Sequence, residues 1–459
     1  MPVATIGGLV LAGVAACGGT GTMRTPAATA SPTPATGTGH YAARPAALVP
    51  HSAAIQGPSE WGHDYNLGHR ILKNVGDTSG TGRDSVALGG RRLFVLEQPP
   101  APGTHQLLDV APGGISAAPD NTNLTGAGDA DGDGFGDIWE NGQLFRGPFD
   151  GGLQKEPYAT FDCPGFASHL GGFDADGDGH ADVALGGGSH EFVVFYGPFP
   201  PGTISWCYAE GPLPPHSLFY GEPNCPDGGP LQLVRDLPAP GDTSMMVGDD
   251  IYLGCDRPSE LFQLDGPRGR MVSQDASFAW FYLGRYAPVG GDFNADGWVD
   301  FEAWDIMSSP PEGGMNEPED AVRLGANVVI SLGDLTGDGL VDLIANQSTK
   351  DDIEHTLLIP GFDTPTNPEV FPDAAARAAM EFWDSSAPNP DGWSPYDGRW
   401  TTADLDGDGL QDLLIAGETD DHPPGEVRIW YGRDLLALIA SGDWPVSPAY
   451  LKSRANRTE

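Results

Sequence analysis

Residues 404–417 read DLDGDGLQDLLIAG, a nine-residue loop of the form Asp-x-Asp-x-Asp-Gly-x-x-Asp that leads directly into an apolar run. The same loop, with Asn or Thr also allowed at its third position, occurs four more times, each time before another short apolar run. The five loops are 129-DADGDGFGD-137, 174-DADGDGHAD-182, 292-DFNADGWVD-300, 334-DLTGDGLVD-342 and 404-DLDGDGLQD-412. This repeated unit governs the prediction of both fold and function.

Each loop places three or four carboxylates on one turn of backbone. Two like charges about 4 Å apart repel by roughly 4 kcal/mol at an effective dielectric near 20, so the pattern predicts a bound cation. Oxygen ligands at positions 1, 3, 5 and 9, with the carbonyl of position 7, favour a hard cation such as calcium. The glycine at position 6 permits the turn that returns position 9 to the ion. The alternative is a turn that is merely solvated, and five copies in register favour calcium.

The residues after the loops distinguish two architectures. An EF-hand needs a bidentate Glu at position 12 and a helix on each side of the loop. Glu140 occupies that position in one loop, whereas the others carry Leu185, Ala303, Ala345 and Ile415. Apolar runs bounded by glycine, such as residues 183–187 and 413–417, are typical of buried strands. The sequence therefore disfavours an EF-hand or dockerin and predicts strands.

The composition narrows the class of protein. The 459 residues carry a formal net charge of −41, which bound divalent ions would offset only in part. So acidic a surface disfavours nucleic acid and anionic membranes as direct partners. Glycine (66) and proline (43) are abundant, but the glycines fall at regular loop positions between apolar runs. This distribution favours a turn-rich all-β protein.

The N-terminus predicts export. Residues 1–17 are read as a signal peptide, because residues 14–18 (VAACG) resemble a bacterial lipobox in which Cys17 would carry the lipid. The usual basic region is missing, since the first charged residue is Arg24. Simple secretion and an uncleaved apolar terminus are the alternatives. Because no other stretch approaches the roughly 18 apolar residues that span a bilayer, we expect an outer-membrane or cell-surface lipoprotein, or a secreted protein, that meets a membrane only through its lipid.

The four remaining cysteines are even in number, which in an exported protein predicts two disulfides with three possible connectivities. They are Cys163, Cys207, Cys225 and Cys255. A zinc site is the weaker alternative, because neither CxxC nor CxxH spacing occurs.

Repeats define the organisation of the chain. Residues 18–58 are predicted to be a flexible Ala/Pro/Thr/Gly tether, residues 59–445 a repeat domain and residues 446–459 a C-terminal tail. Weaker copies at 77-DTSGTGRDS-85 and 236-DLPAPGDTS-244 bring the series to seven, spaced by about 55 residues.

Each unit reads as strand, acidic turn, strand, hairpin, aromatic strand and outer strand. Four strands in each of seven units predict a seven-bladed β-propeller, all-β, with calcium-binding hairpin loops. A linear solenoid is the alternative, which the variable spacing disfavours. Insertions are expected at 309–320 and 361–400, the second with a short helix, Ala374–Trp383, capped by Asp373.

In these loops and in the aromatic strands that follow, residues 60–435 resemble the FG-GAP/VCBS repeat family, the propeller also found at the head of integrin α chains. Its sequence tag is fragmentary here, as in Tyr196-Gly197-Pro198, and neither an RGD sequence nor an integrin-like domain after the propeller is present. The resemblance implies that each acidic turn joins the first two strands of a blade and binds one calcium ion. The copies at 77 and 236 depart from the pattern, which disfavours calcium there.

The side-chain ligands implied are Asp129, Asp131, Asp133, Asp137, Asp174, Asp176, Asp178, Asp182, Asp292, Asn294, Asp296, Asp300, Asp334, Thr336, Asp338, Asp342, Asp404, Asp406, Asp408 and Asp412. The carbonyl ligands implied are those of Phe135, His180, Trp298, Leu340 and Leu410. Because extracellular sites of this kind bind at about 10⁻⁴ to 10⁻³ M, we expect a structural role for calcium in preference to a sensing role.

The sequence lacks the GxSxG, HExxH and GxxxxGK motifs of common enzymes. We therefore expect a non-enzymatic, monomeric propeller that binds a protein or glycan in adhesion or recognition, with glycans favoured because a group of fungal lectins has similar loops. Two roles are open for Trp206, Trp280, Trp393 and Trp400: stacking against a bound sugar, or packing in the core. The rival class is a glycan-active enzyme such as a propeller-type polysaccharide lyase. His190 and Glu191 could then be acid/base partners, or simply a pair in a hairpin.

Overall fold

The structure is a computed structural model of the chain. The residues it describes are 50–58, 71–89, 92–116, 124–162, 166–174, 178–187, 191–205, 216–220, 231–235, 243–247, 260–263, 301–303, 306–308, 322–323, 328–331, 333–336, 338–348, 354–361, 380–384, 393–419 and 422–442. Within these ranges the chain is mostly β, with several sheets and few helices.

The strands are β1 (Ala53–Gln56), β2 (Ile71–Gly76), β3 (Ser85–Gly89), β4 (Leu93–Leu96), β5 (Gly103–Gln106), β6 (Gly114–Ile115), β7 (Leu124–Gly128), β8 (Asp137–Glu140), β9 (Gln143–Phe145), β10 (Leu153–Gln154), β11 (Ala159–Asp162), β12 (Phe166–Phe173), β13 (Asp182–Gly187), β14 (Glu191–Phe195), β15 (Gly202–Ser205), β16 (His216–Tyr220), β17 (Leu231–Arg235), β18 (Thr243–Val247), β19 (Glu260–Gln263), β20 (Phe301–Ala303), β21 (Ile306–Ser308), β22 (Val322–Arg323), β23 (Val328–Ser331), β24 (Leu343–Ser348), β25 (Glu354–Ile359), β26 (Met380–Asp384), β27 (Ser394–Ala403), β28 (Asp412–Thr419) and β29 (His422–Trp430). The helices are α1 (Leu107–Val110) and α2 (Gly432–Ser441).

These strands form seven sheets, numbered here by chain order. Sheet 1 has the order β2-β3-β4-β6-β10, sheet 2 β7-β8-β9-β11-β15 and sheet 3 β12-β13-β14-β16. Sheet 4 is β17-β18-β19, sheet 5 β20-β21-β22, sheet 6 β23-β24-β25-β26 and sheet 7 β27-β28-β29-β1-β5. The first three strands of sheets 1, 2 and 7 are antiparallel to their neighbours, as in a meander. The predicted strands after the loops at 129, 174, 334 and 404 are confirmed as β8, β13, β24 and β28.

The first strands of successive sheets lie side by side. Strand β2 lies between β27 and β7, β7 also contacts β12, and β12 contacts β17, while β23 contacts β27. The sheets therefore follow one another in the order 6, 7, 1, 2, 3, 4 through the strands that begin them.

Sheet 7 contains residues from distant parts of the chain. Strand β1 pairs antiparallel with β29, Ala53 opposite Ile429 and Ile55 opposite Val427. Residues 53–55 are fully or almost fully buried there. Strand β1 lies inside the range 18–58 that composition predicts as a tether, so residues 53–55 of that range belong to the core and not to a linker.

Three outer strands cross between sheets, a feature that the sequence analysis does not predict. Strands β5, β10 and β15 each lie in the chain segment that connects the third and fourth strands of one sheet. Each then pairs in parallel with the outermost strand of the preceding sheet: β5 with β1, β10 with β6 and β15 with β11. Sheets 7, 1, 2 and 3 are thereby joined at their outer edges.

Both faces of the middle strands are buried, because neighbouring sheets pack on each side. Along β28, Leu413 and Ile415 join the apolar cluster shared with sheet 6, whereas Leu414 and Ala416 join the cluster shared with sheet 1. Alternate side chains of a strand point to opposite faces. A strand covered on both faces therefore needs a continuous apolar run, which explains the sequence LLIA after the loop.

The predicted helix Ala374–Trp383 is wrong where the structure describes it, because Met380–Asp384 forms β26 beside β25. Phe382 lies 5.4 Å from Trp430, ring centroid to ring centroid, so packing between sheets overrides the local helix pattern. Asp373 and residues 374–379 lie outside the described ranges. In the part of the chain described, no helix has the length and apolar character to cross a membrane.

Candidate metal centre

The loop 129–137 joins β7 to β8 and is held by its own carboxylates. The first carboxylate, Asp129, accepts hydrogen bonds from the backbone N–H of Gly132 (2.9 Å) and of Gly134 (3.0 Å). Gly134 has φ +92°, a left-handed conformation that glycine adopts without strain. The loop therefore turns back on its first residue at the glycine of position 6.

Two groups of three carboxylates converge closely enough to share one cation. Ligand oxygens of Asp129, Asp131 and Asp137 lie within 4.8 Å of one another, and so do those of Asp404, Asp406 and Asp408. Calcium–oxygen bonds are about 2.3–2.6 Å long, so two ligands on opposite sides of one ion are about 5 Å apart. Both groups therefore fit within a single calcium coordination sphere.

Asp131 is nearly inaccessible and forms an ion pair. Its side chain is 1% exposed, and its Oδ2 accepts no hydrogen bond from the described residues but is ion-paired with Nε of Arg146. Arg146 also pairs with Asp133 and stacks over the ring of Tyr158. Burial, followed by the neighbouring charge of Asp133, raises the pKa of Asp131. The guanidinium of Arg146 already supplies positive charge to this buried oxygen, so a metal ion bound by Asp131 would share it with that ion pair.

The carboxylate at position 9 anchors the loop to its own sheet. Asp137 is fully buried, and its two oxygens accept the backbone N–H groups of Ala130 and Gly147, both at 3.1 Å. Burial, with a contribution from the charge of Asp131, raises the pKa of Asp137 to about 8. Asp137 therefore anchors the loop through its hydrogen bonds, but its buried negative charge is unfavourable. A bound cation would neutralise that charge.

The same anchor recurs in the other described loops. In each case an oxygen of the position-9 Asp accepts the N–H of a residue that follows the third strand of the sheet. The bonds are Asp182 from Gly197 (2.9 Å), Asp342 from Gly361 (2.9 Å) and Asp412 from Gly432 (2.8 Å). Burial raises the pKa of Asp342 and of Asp412 to about 7 in each case.

Close backbone packing explains why glycine occupies the anchoring position. A Cβ at Gly147 would lie 2.4 Å from the carbonyl oxygen of Gly136, and one at Gly197 2.5 Å from that of Ala181. At Gly432 the corresponding distance to the carbonyl of Gln411 would be 2.8 Å. Sequence reasoning missed this contact, and the signal for it was the glycine that ends each aromatic strand.

The remaining loops share the turn to the extent that the structure describes them. Asp174 and Asp334 accept N–H groups from positions 5 and 6 at 2.8–3.1 Å. The N–H groups of Phe135, His180, Leu340 and Leu410, the predicted carbonyl ligands, donate to the position-5 carboxylates Asp133, Asp178, Asp338 and Asp408 at 2.9–3.0 Å. Thr336 donates its N–H and its hydroxyl to Asp342.

Several predicted residues lie outside the described ranges. They are Asp176 and the whole loop with Asp292, Asn294, Asp296, Trp298 and Asp300, together with Cys17, Cys163, Cys207, Cys225, Cys255, Trp206, Trp280, His190 and the side chain of Glu191. Trp393 and Trp400 are described, and both are buried in the core, so neither is a sugar-stacking surface.

The weak copy at 77–85 closes without clustered carboxylates. Asp77 accepts N–H groups from Ser79, Thr81 and Gly82 at 2.6–3.2 Å, and the hydroxyls of Ser79 and Thr81 are 2.7 Å apart. Ser85, which replaces the last Asp, bonds to the hydroxyl of Thr78 (2.9 Å). Hydroxyls thus close this turn where the other loops carry charge.

Buried ionisable pairs outside the loops were not predicted. His355 Nδ1 lies 2.7 Å from Glu381 Oε1, and Arg428 Nε lies 2.6 Å from Glu426 Oε1, with all four side chains nearly inaccessible. Arg428 also stacks on Trp393. Such pairs are satisfied within the sheets, so we assign them to packing and not to chemistry.

The fold and the loops thus define a mostly β protein of several sheets with acidic inter-strand turns. A scan of protein-family models gives no match for this chain, and no curated protein matches it. Among solved structures it is similar to BBS1N, the N-terminal β-propeller domain of BBS1, in crystals of its complex with ARL6DN soaked with lead or with mercury. Sequence identity is 10% in both cases, 84% of this chain and 92% of the other are covered, and the TM-scores are 0.41 and 0.38.

Proposed function

We propose that this chain is a calcium-stabilised, non-enzymatic β-propeller of the FG-GAP/VCBS type that recognises a protein or a glycan. The observation that carries the proposal is the convergence of three carboxylates within 4.8 Å in two separate loops, at 129–137 and at 404–412. Clustered like charges of this kind destabilise a protein unless a cation neutralises them.

The propeller part of the proposal is supported by the order of the sheets. Successive sheets are neighbours through their first strands, and sheet 7 is completed by β1 from the start of the domain. A closed ring of seven four-stranded blades joins the last blade to the first in this way and leaves few free sheet edges. In sheets 4 and 5 three strands are described, and the proposed ring includes a fourth in each.

Calcium would stabilise the ring at the turns between the first two strands of each blade. The ligands would come from positions 1, 3, 5, 7 and 9 of the loops at 129, 174, 292, 334 and 404, giving about five sites. An ion that binds only the folded state stabilises it by mass action. Calcium would supply charge neutralisation to these turns.

A binding role agrees with the pairing of the buried ionisable side chains. In the described ranges, the buried pairs His355–Glu381 and Arg428–Glu426 are engaged with each other inside sheets. The faces of a rigid, closed propeller are suited to presenting loops to another macromolecule. We further propose that Cys17 carries a lipid that holds the propeller at a bacterial surface, which substitution by Ser and labelling with a radioactive fatty acid would test.

The proposal is tested in two stages with the purified domain. Calorimetric titration with calcium, paired with thermal melts in calcium and in EDTA, should show binding and a higher melting temperature with the metal. Binding is then assayed on a glycan array and by capture from cell-envelope extracts, both in calcium. Turnover of uronic-acid polymers would instead support a polysaccharide lyase. The calcium proposal is refuted if no metal binds and the melts coincide.

A further inference from the structure

Neighbouring acidic loops are hydrogen-bonded to one another in a fixed pattern. The N–H at position 8 of one loop donates to the carbonyl at position 1 of the loop before it. Gly136 donates to Asp77 (2.9 Å), and Ala181 donates to Asp129 (3.1 Å). The first loop closes the series on the last one, because Asp84 donates to Asp404 (3.0 Å).

Side chains strengthen the same junctions. The residue at position 7 packs on the glycine at position 4 of the preceding loop, where a Cβ would approach it to about 3 Å. An added Cβ at Gly80 would lie 3.1 Å from the ring of Phe135, and one at Gly132 would lie 3.1 Å from the ring of His180. An added Cβ at Gly407 would lie 3.0 Å from Cγ of Arg83.

The residues at these junctions are those that calcium would order. Position 1 offers its carboxylate to the ion and its carbonyl to the next loop. Position 8 lies between two proposed ligands, at positions 7 and 9. Ordering one loop therefore removes conformational freedom from the loop before it, so that the second ion has less order left to impose.

We propose that calcium sites in adjacent loops are thermodynamically coupled, each raising the affinity of its neighbour; this inference rests on the proposed calcium binding. The loop at 77, closed by hydroxyls, lies between the loops at 404 and 129 and interrupts the series. Among the junctions described, the coupled pair is therefore 174 with 129, and the loops at 129 and 404 are independent of each other.

The test disables one loop and measures calcium affinity at others. The variant Asp178→Asn weakens the loop at 174 through an exposed position-5 side chain, and Asp338→Asn does the same at 334. The amide resonances of Gly134 and Gly409, at position 6, report calcium binding at 129 and at 404. Asp178→Asn should raise the calcium midpoint of Gly134 about fivefold or more and leave Gly409 unchanged, whereas Asp338→Asn, in a loop that is not adjacent to the one at 129, should leave Gly134 unchanged.

A second variant tests the contact itself. His180→Ala keeps the carbonyl ligand but removes the ring that packs on Gly132, and should reduce the response of Gly134 to the state of the loop at 174. Equal shifts of both glycines, or no shift of either, would overturn the coupling while leaving calcium binding intact. The absence of any calcium response in the unmodified protein would instead overturn the proposed function.

Discussion

Gly147 donates its backbone N–H to Oδ1 of Asp137 across 3.1 Å, and this bond joins the last position of an acidic loop to the end of the third strand of the same sheet. The other oxygen of Asp137 accepts the N–H of Ala130, at the start of the loop. One carboxylate thus connects both ends of a turn to the sheet that carries it. The loop has an internal frame that does not depend on a cation.

The first prediction concerns the glycine in that bond. Gly147→Ala would place a Cβ 2.4 Å from the carbonyl oxygen of Gly136 and 2.5 Å from that of Thr78, which forces the backbone to move. We expect a loss of about 1–3 kcal/mol in the free energy of unfolding, measured by urea titration. Gly151→Ala is the matched control, because nothing lies within 4 Å of its added Cβ. Equal stability of the two variants would contradict the packing argument.

The second prediction separates the anchoring role of Asp137 from its proposed role as a metal ligand. Asp137→Ala leaves two buried N–H groups without an acceptor and also removes a proposed calcium ligand, so it should lower the melting temperature in EDTA and lower it further in calcium. Asp133→Asn leaves those bonds intact and should lower the melting temperature in calcium but not in EDTA. If Asp137→Ala left the melting temperature in EDTA unchanged, Asp137 would be a metal ligand without the anchoring role.

The loops and the strands after them could be predicted because their determinants are local. All five proposed ligand positions fall within nine residues, and the apolar run follows at once. The local pattern does not show which residues of other strands contact the loop. Arg146 and Gly147 approach the loop from beyond a hairpin, and only the Gly-Pro sequence after the aromatic strand signalled their role.

The remaining errors have the same physical origin. Strands β1 (AAIQ), β5 (GTHQ) and β10 (LQ) are short, and their sequences carry little strand signal, because distant pairing and not propensity holds them in place. Residues 380–383 belong to a segment with helical periodicity, yet Met380 and Phe382 are buried in a sheet. Non-local contacts decide such segments, and a single sequence does not display them.

The third prediction concerns the strand that completes sheet 7. A chain that begins at residue 58 lacks β1, which pairs with β29 on one side and β5 on the other. Its loss exposes two rows of backbone groups and removes the fully buried Ile55. We expect fast hydrogen exchange at residues 426–429 and early unfolding of sheet 7. A chain that begins at residue 50 keeps β1 and serves as the control; similar exchange in both chains would refute a closing role for β1.

The last prediction uses a buried carboxyl that no proposed site requires. Glu140 is 1% exposed, and burial raises its pKa to about 7. Because the folded pKa lies above the unfolded value of about 4.3, the folded state favours the protonated form. The stabilising contribution of Glu140 is therefore complete below pH about 4.3 and is lost as the pH rises through 7.

Glu140→Gln keeps the shape of the side chain and removes this titration. We expect the variant to be more stable than the unmodified protein at pH 8, with a difference that shrinks towards pH 5, as measured by urea unfolding across that range. Glu156→Gln removes the same charge from an exposed side chain and should show no such trend. A constant difference between Glu140→Gln and the unmodified protein at every pH would show that Glu140 does not titrate on folding, since only a pKa that differs between the folded and unfolded states makes stability depend on pH.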